Sequence, residues 1–252
     1  MTFNTKINEK GVGNLCLSHP PVNAPDSEGW KALAIEITNL SKNEALKVLV
    51  LSADGKGFCA GVDIKELAED SSKIIEVNEG CYETFKSIRV CSVPVISAVH
   101  GFCLGGGVGI AGASDIVIAS EDAYFGLPEV DRGALGAASH LSRMFPLQHV
   151  RRMMFTAEPI SAKEAYRLGA LEKVVPKTDL LQEANKLANL IADKSPIAIR
   201  LAKESLNGIE PHDVDASYLY EQGFTLKLYG SEDSSEARRA FLEGRKAKFK
   251  NK

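Results

Sequence analysis

From Val90 to Ser114 the chain carries no Asp, Glu, Lys or Arg, and this uncharged stretch limits the possible folds more than any other segment. A membrane-spanning helix needs about 20 apolar residues in a row. Here Pro94, His100 and a cluster of glycines (Gly105, Gly106, Gly107, Gly109, Gly112) break the run. What remains is a Val/Ile-rich segment, "VPVISAV", then a short glycine-rich segment, then a second Val/Ile-rich run, "DIVIAS". The pattern predicts a buried strand, a buried helix and another buried strand in a soluble protein.

Neighbouring segments extend the alternation. "NLCLSHPP" reads as a strand ending at a Pro-Pro turn, and "SEGWKALAIEITNLSKN" as an amphipathic helix. "LKVLVLSA" is a strand, "DGKGFCAGVD" a loop, and residues 72–91 mostly helix. Alternating strands and helices predict an α/β architecture with parallel pairing. The later segments change character: "SPIAIRLAKESLNG", "HDVDASYLYEQGFTLKLYG" and "SEDSSEARRAFLEGRKAKF" are helical patterns in succession. Ser195-Pro196 suits a helix start, and Gly208 and Gly230 suit helix ends. The expected organisation is a core over residues 1–195 and a helical region over 196–252.

Composition sets outer limits on function. With 30 Lys+Arg against 33 Asp+Glu the net charge is −3, and no basic stripe points to nucleic acid. The five cysteines form no CxxC and the histidines lack ligand spacing, so reduced thiols without zinc are expected. No secretory pattern is visible in "MTFNTKINEK", which makes the expected location cytoplasmic.

The glycine run has three readings. Glycines let a buried helix approach a sheet closely. "GVGIAG" at residues 107–112 also fits the dinucleotide pattern G-x-G-x-x-G, but it lies mid-chain behind an additional glycine pair. The third reading is an anion site, because a glycine-rich helix start exposes free N–H groups with the helix dipole behind them. Two such donors aimed at one oxygen would stabilise an enolate or a tetrahedral oxyanion. The loop "GKGFCAGVDIKE" is the candidate source of the second donor.

"FCAGVDIKE", "PVISAVHGFCLGGG" and "SDIVIASEDAYFGLPEV", in that order, resemble the crotonase (enoyl-CoA hydratase/isomerase) superfamily over nearly the whole chain. "PPVNA", "SAKEAYRLGALEKVVP" and "RRAFLEGRKAKF" extend the resemblance. It implies an α/β core of repeated ββα units, a C-terminal helical trimerisation region, and homotrimers that often pair into hexamers. The implied ligand is a CoA thioester, with CoA arriving as part of the substrate and no cofactor permanently bound. Carried over by position, the oxyanion hole is the N–H groups of Val62 and Gly106. CoA contacts fall to Val22, Ala24, Ala60, Asp63, Ile64 and, often across a subunit boundary, Phe241. Arg245 and Lys246 are candidates for the CoA phosphate where the family's lysine is Gly244 here.

Two departures bear on the chemistry. A hydratase of this family uses two glutamates; the second is kept as Glu129, whereas the first position is Gly109. The stretch after Glu129 is shorter than usual and carries Asp131, Arg132 and His140. These three are either a surface ion pair and a helix residue, or part of an acyl pocket to which Gly109 adds volume. One glutamate suits an enoyl-CoA isomerase, or a hydrolase that activates water to cleave a C–C bond in a β-diketone. Lost carboxylates also fit a non-catalytic acyl-CoA-binding protein, and a hydratase remains the remaining alternative. "GLPEVDRGALGAASHLSR" and "ASYLYEQGFTLKL" are most similar to the crotonases of bacterial steroid degradation, which open the last steroid rings hydrolytically as CoA thioesters.

Overall fold

In the computed structural model, which describes residues 1–252, the uncharged stretch is the middle of three successive windings of one kind. They follow a hairpin of β1 (Thr2–Ile7) and β2 (Val12–Ser18) and helix α1 (Ser27–Ser41). The first winding has β3 (Val48–Ala53), an extended segment at residues 57–60, short helix α2 (Ile64–Glu69) and α3 (Ile74–Arg89). The second has β4 (Val95–Val99), β5 (Phe102–Leu104) and α4 (Gly106–Ala113). The third has β6 (Ile116–Ser120), β7 (Tyr124–Gly126), a 3-10 turn at Pro128–Arg132, α5 (Ala138–Met144) and α6 (Leu147–Thr156). After β8 (Ile160–Ser161), α7 (Ala162–Arg167), β9 (Lys173–Val175) and α8 (Leu180–Ala192), only helices remain. These are α9 (Pro196–Ile209), α10 (Val214–Tyr229) and α11 (Glu232–Leu242).

The first strand of each winding joins a six-stranded sheet of order β1-β2-β3-β4-β6-β9; the second lies along a smaller sheet of order β5-β7-β8. Cys59 bridges in parallel to Cys103, which sets the first winding beside the small sheet. In the six-stranded sheet, pairing from β2 to β9 is parallel as expected, but β1 pairs antiparallel with β2 through the turn between them, and in the small sheet β7 and β8 are also antiparallel. Residues of β4 are buried on both faces: Val95 and Val99 face the main core, while Ile96 and Ala98 face α8. Such a strand shows an unbroken apolar run rather than alternation. On α8, Leu180, Ala184, Ala188 and Ala192 recur every four residues and cover that second face.

The C-terminal helices dock by polar contacts into the core. Lys203 of α9 is 5% exposed. Its Nζ donates to the carbonyls of Ile88 and Val93 and, at 2.8 Å, to Asp115. From α10, Asp215 accepts from Arg89 at 2.6 Å, and Glu221 accepts the N–H groups of Ala138 and Ser139 at the start of α5. Two sequence-read helix ends shift: α9 runs past Gly208 to Ile209, and α11 stops at Leu242 although the helical pattern continues. Gly230 does end α10.

Candidate active site

The site is built where two glycine-rich turns touch. Residues 57–60 run beside β5, with the N–H of Cys59 donating to the carbonyl of Phe102 and the N–H of Leu104 to that of Cys59. This pairing carries the chain into Gly61, whose φ of +99° is open to glycine and little else. A Cβ on Gly61 would lie 3.5 Å from the nitrogen of Gly106, so the two turns are in van der Waals contact. Gly106 opens α4, where no preceding carbonyl accepts its N–H; that of Val62, one residue past Gly61, is also without an acceptor. Both expected oxyanion donors are therefore free and lie on adjoining turns.

Glu129 reaches the same point from the 3-10 turn after β7. Its Oε1 occupies the space a Cβ of Gly105 would need, directly before the free N–H of Gly106. Its Oε2 is buried without a hydrogen-bond partner. Burial pushes its pKa from 4.5 up to about 8, while the charge of Arg132 pulls the other way. An ionisable carboxyl poised near neutrality beside two unused N–H donors can take a proton from water or carbon while an oxyanion forms next to it.

The expected CoA-contacting segments lie side by side. The carbonyl of Val22 accepts from Ala60 at 3.1 Å and that of Pro25 from Asp63 at 3.0 Å. Asp63 caps α2 by accepting from Lys65 at 2.8 Å, and Glu66 accepts from the N–H and hydroxyl of Ser27. Val22 is exposed, and Ala24, Ala60, Val62, Asp63 and Ile64 are half-buried. Sequence reasoning missed Asn23, which holds this wall in place. Its φ is +51°, and its buried side chain accepts from His19 at 2.7 Å and donates to the carbonyls of Asp54 and Gly57. The available signal was an Asn inside a Pro-Pro turn, a residue that tolerates positive φ.

Gly109 is a correction. The volume left by its missing side chain is occupied: a Cβ there would run into the ring of Phe85 from α3. The pattern repeats along the helix, because a Cβ on Gly106 would meet Trp30 and one on Gly112 would meet His140. Gly106 and Gly109 thus seat the rings of Trp30 and Phe85, and Gly112 lets the backbone of His140 approach, with Phe85 edge-on to Trp30 at 5.7 Å and to His140 at 4.8 Å. Tyr218 of α10 completes the cluster, 5.0 Å from His140. His140 is 1% exposed with neither ring nitrogen hydrogen-bonded, and burial lowers its pKa from 6.5 to about 3. It is a neutral core imidazole. Neither Trp30 nor Phe85 carried a sequence signal beyond helical periodicity.

Asp131 is exposed and makes no ion pair with Arg132, so the surface-pair reading of these two fails. The guanidinium of Arg132 instead lies 4.5 Å over the ring of Phe241, from α11 of the same chain. Phe241 is 44% exposed. Arg245 is engaged by Glu236 and Glu243 at 2.5 Å, so of the two candidates for the CoA phosphate only Lys246 is unpaired. A cleft of about 1040 Å³ lies apart from Glu129 between the C-terminal end of α4 and helices α5, α6 and α10. No helix is long and apolar enough to cross a membrane.

The fold recurs in the crystal structure of an enoyl-CoA hydratase from Mycobacterium avium subsp. paratuberculosis, at a TM-score of 0.88 and 22% identity, covering 99% of this chain and 98% of that one. In sequence, the chain is 44% identical over 245 residues to the (7aS)-7a-methyl-1,5-dioxo-2,3,5,6,7,7a-hexahydro-1H-indene-carboxyl-CoA hydrolase of Mycobacterium tuberculosis, covering 96% of this chain and 99% of the relative. The enzyme of the same name from Rhodococcus jostii is also 44% identical, with 92% and 91% covered. The family model described as enoyl-CoA hydratase/isomerase matches residues 7–252. The chain belongs to the enoyl-CoA hydratase/isomerase family, the crotonase superfamily of acyl-CoA enzymes.

Proposed function

We propose that this protein hydrolyses a C–C bond in a cyclic, steroid-derived acyl-CoA thioester, opening a ring. The observation that carries the reading is a single buried carboxylate, Glu129, packed on Gly105 directly before the unpartnered N–H of Gly106. The 44% identity to two hydrolases of a bicyclic dione thioester supports the substrate class. In this reading the thioester carbonyl accepts from Val62 and Gly106, and Glu129 takes a proton from water as its oxygen attacks a ring ketone. The C–C bond breaks, its electron pair passes into the conjugated carbonyl system, and a proton returns to carbon. Removing one oxyanion donor from such a site typically costs about 3–4 kcal/mol of transition-state stabilisation.

The CoA arm lies along Val22, Ala24, Ala60, Asp63 and Ile64, bound mainly through backbone groups, with no further cofactor. A homotrimer, or a hexamer of two, is the proposed assembly. Support comes from exposed apolar side chains around the large cleft, among them Leu147, Phe155 (75% exposed) and Tyr220. Contiguous apolar surface of this kind marks protein contact sites. The helical region from residue 196 onward supplies part of that surface.

Mass-spectrometric product analysis tests the reading, using purified protein with the hexahydroindene-dione CoA thioester and with linear 2- and 3-enoyl-CoAs. Gain of one water with ring opening is the expected result. Double-bond migration in the 3-enoyl ester without ring opening would favour an isomerase, which also needs only one base. Fast water addition to the 2-enoyl ester would favour a hydratase, and binding without any turnover a non-catalytic acyl-CoA carrier.

A further inference from the structure

Arg132 is a cation at the site that the chain itself leaves unused. It follows Glu129 by three residues on the same 3-10 turn and is half-buried. It forms no ion pair or hydrogen bond, and Glu129 and Asp131 act on it through charge alone. The one group holding it is the ring of Phe241, 4.5 Å from the guanidinium carbon. That ring belongs to α11, which is locked to the turn where the hydroxyl of Ser234 donates to the carbonyl of Gly133 at 2.5 Å. A guanidinium stacked on an aromatic face keeps its in-plane N–H fork free, and that fork matches two oxygens of a carboxylate.

Ring opening creates such a group. The water oxygen bonds to the ring ketone carbon as Glu129 takes its proton, and the C–C bond to the neighbouring carbon breaks. The electron pair moves into the conjugated carbonyl system, and that carbon is then protonated. The former ketone carbon ends as a carboxyl group, ionised at neutral pH. Hydration or double-bond migration generates no new anion at this place. We infer that Arg132, presented by Phe241, binds the oxygens of the attacked ketone and the carboxylate they become. This rests on the ring-opening reading, and it gives the site a second, side-chain anion locus separate from the backbone donors at Val62 and Gly106.

Two CoA esters of equal carbon number serve as probes: glutaryl-CoA, with a terminal carboxylate, and valeryl-CoA, without one. Each is titrated calorimetrically onto wild type, R132M, R132K and F241L, with ring-opening kinetics on the same preparations. Wild type is expected to bind glutaryl-CoA about tenfold or more tightly than valeryl-CoA, the size expected of a charge-assisted hydrogen bond. R132M should lose that preference while keeping its valeryl-CoA affinity, and its ring-opening kcat should fall at least about tenfold. R132K should retain part of the preference because it keeps the charge without the fork. F241L should weaken the preference with the guanidinium intact. A wild type that opens the ring but shows no carboxylate preference overturns the inference alone, as does an R132M that keeps both preference and turnover. A wild type that binds both esters and opens no ring overturns the hydrolase reading and the inference with it.

Discussion

Gly105 and Gly106 open helix α4, Gly109 and Gly112 lie in its body, and at all four a group from elsewhere occupies the space a Cβ would take. The difference lies in the backbone. Within the body each N–H is used by the helix, so Gly109 and Gly112 contribute only close approach to Phe85 and His140. In the first turn the N–H of Gly106 has no acceptor, and the group pressed on Gly105 is the Glu129 carboxylate rather than a ring. One half of the helix is packing and the other is chemistry. A glycine in such a helix marks a close neighbour, and only its position along the helix says whether a donor comes with it.

The largest effect should come from the chemical half. Glu129→Gln is expected to lower kcat by about 10²–10⁴-fold, the usual worth of a general acid–base group. Steady-state kinetics on the ring-opening substrate check this, and a loss under tenfold would move the base elsewhere. The same carboxyl sets the pH dependence. It must be ionised to act, so kcat/KM should rise through an acidic limb near pH 8. Its folded-state pKa is raised above 4.5, so the folded protein holds more protons than the unfolded chain between about 4.5 and 8. That contribution to stability is lost as pH rises through the window. Glu129→Gln should remove this alkaline loss, as urea unfolding at pH 6 and pH 9 would show.

In the packing half, Gly109→Ala drives a methyl into the Phe85 ring. Overpacking of this kind costs about 1–3 kcal/mol, or several degrees of Tm for a chain of this size. Phe85→Leu in the same chain should recover part of the loss, giving a coupling that a double-mutant cycle measures. Simple additivity would mean that the ring and the glycine are not in contact. Because Gly109→Glu would clash with Phe85 in the same way, lost turnover in that variant would not by itself report on an acyl pocket.

A smaller effect tests the far end of the ring cluster. The folded-state pKa of His140 is depressed from 6.5 to about 3, so the unfolded chain takes up the proton first as pH falls. Stability is therefore lost as pH drops below 6.5, by about 2 kcal/mol between pH 6.5 and 5 from this group. His140→Phe should flatten that limb in urea denaturation curves measured at the two values. An unchanged slope would mean that the imidazole is hydrated in solution.

The frame of the fold was legible because two-sided burial leaves unbroken Val/Ile runs, and prolines and glycines mark their ends. The two adjoining glycine-rich turns and Glu129 were picked out through resemblance to a family, not through composition, and the proposed oxyanion role rests on that resemblance. Gly109 was misread for a physical reason. An absent side chain says nothing about what fills the space, and the ring that does so belongs to α3, whose own pattern shows only a helix. β1 escaped because the covered face of this edge strand carries Phe3, Thr5 and Ile7, and the polar Thr5 interrupts the alternation that would mark a strand. Asn23 was legible in principle, since few other residues accept its backbone angle while staying buried.

The interlock of Gly133 with Ser234 has a consequence for how the molecule is made. Gly133 sits at a φ of +70°, and a Cβ there would strike the backbone of Ser234, so the end of the turn that carries Glu129 is moulded against α11. A ribosome delivers the turn bearing Glu129 and Arg132 well before it delivers residues 231–242. Until α11 emerges, Arg132 lacks the ring that holds it and one wall of the site is missing. The nascent chain can thus assemble its sheets and glycine-rich turns early, and the Glu129 site is completed only after α11 has emerged.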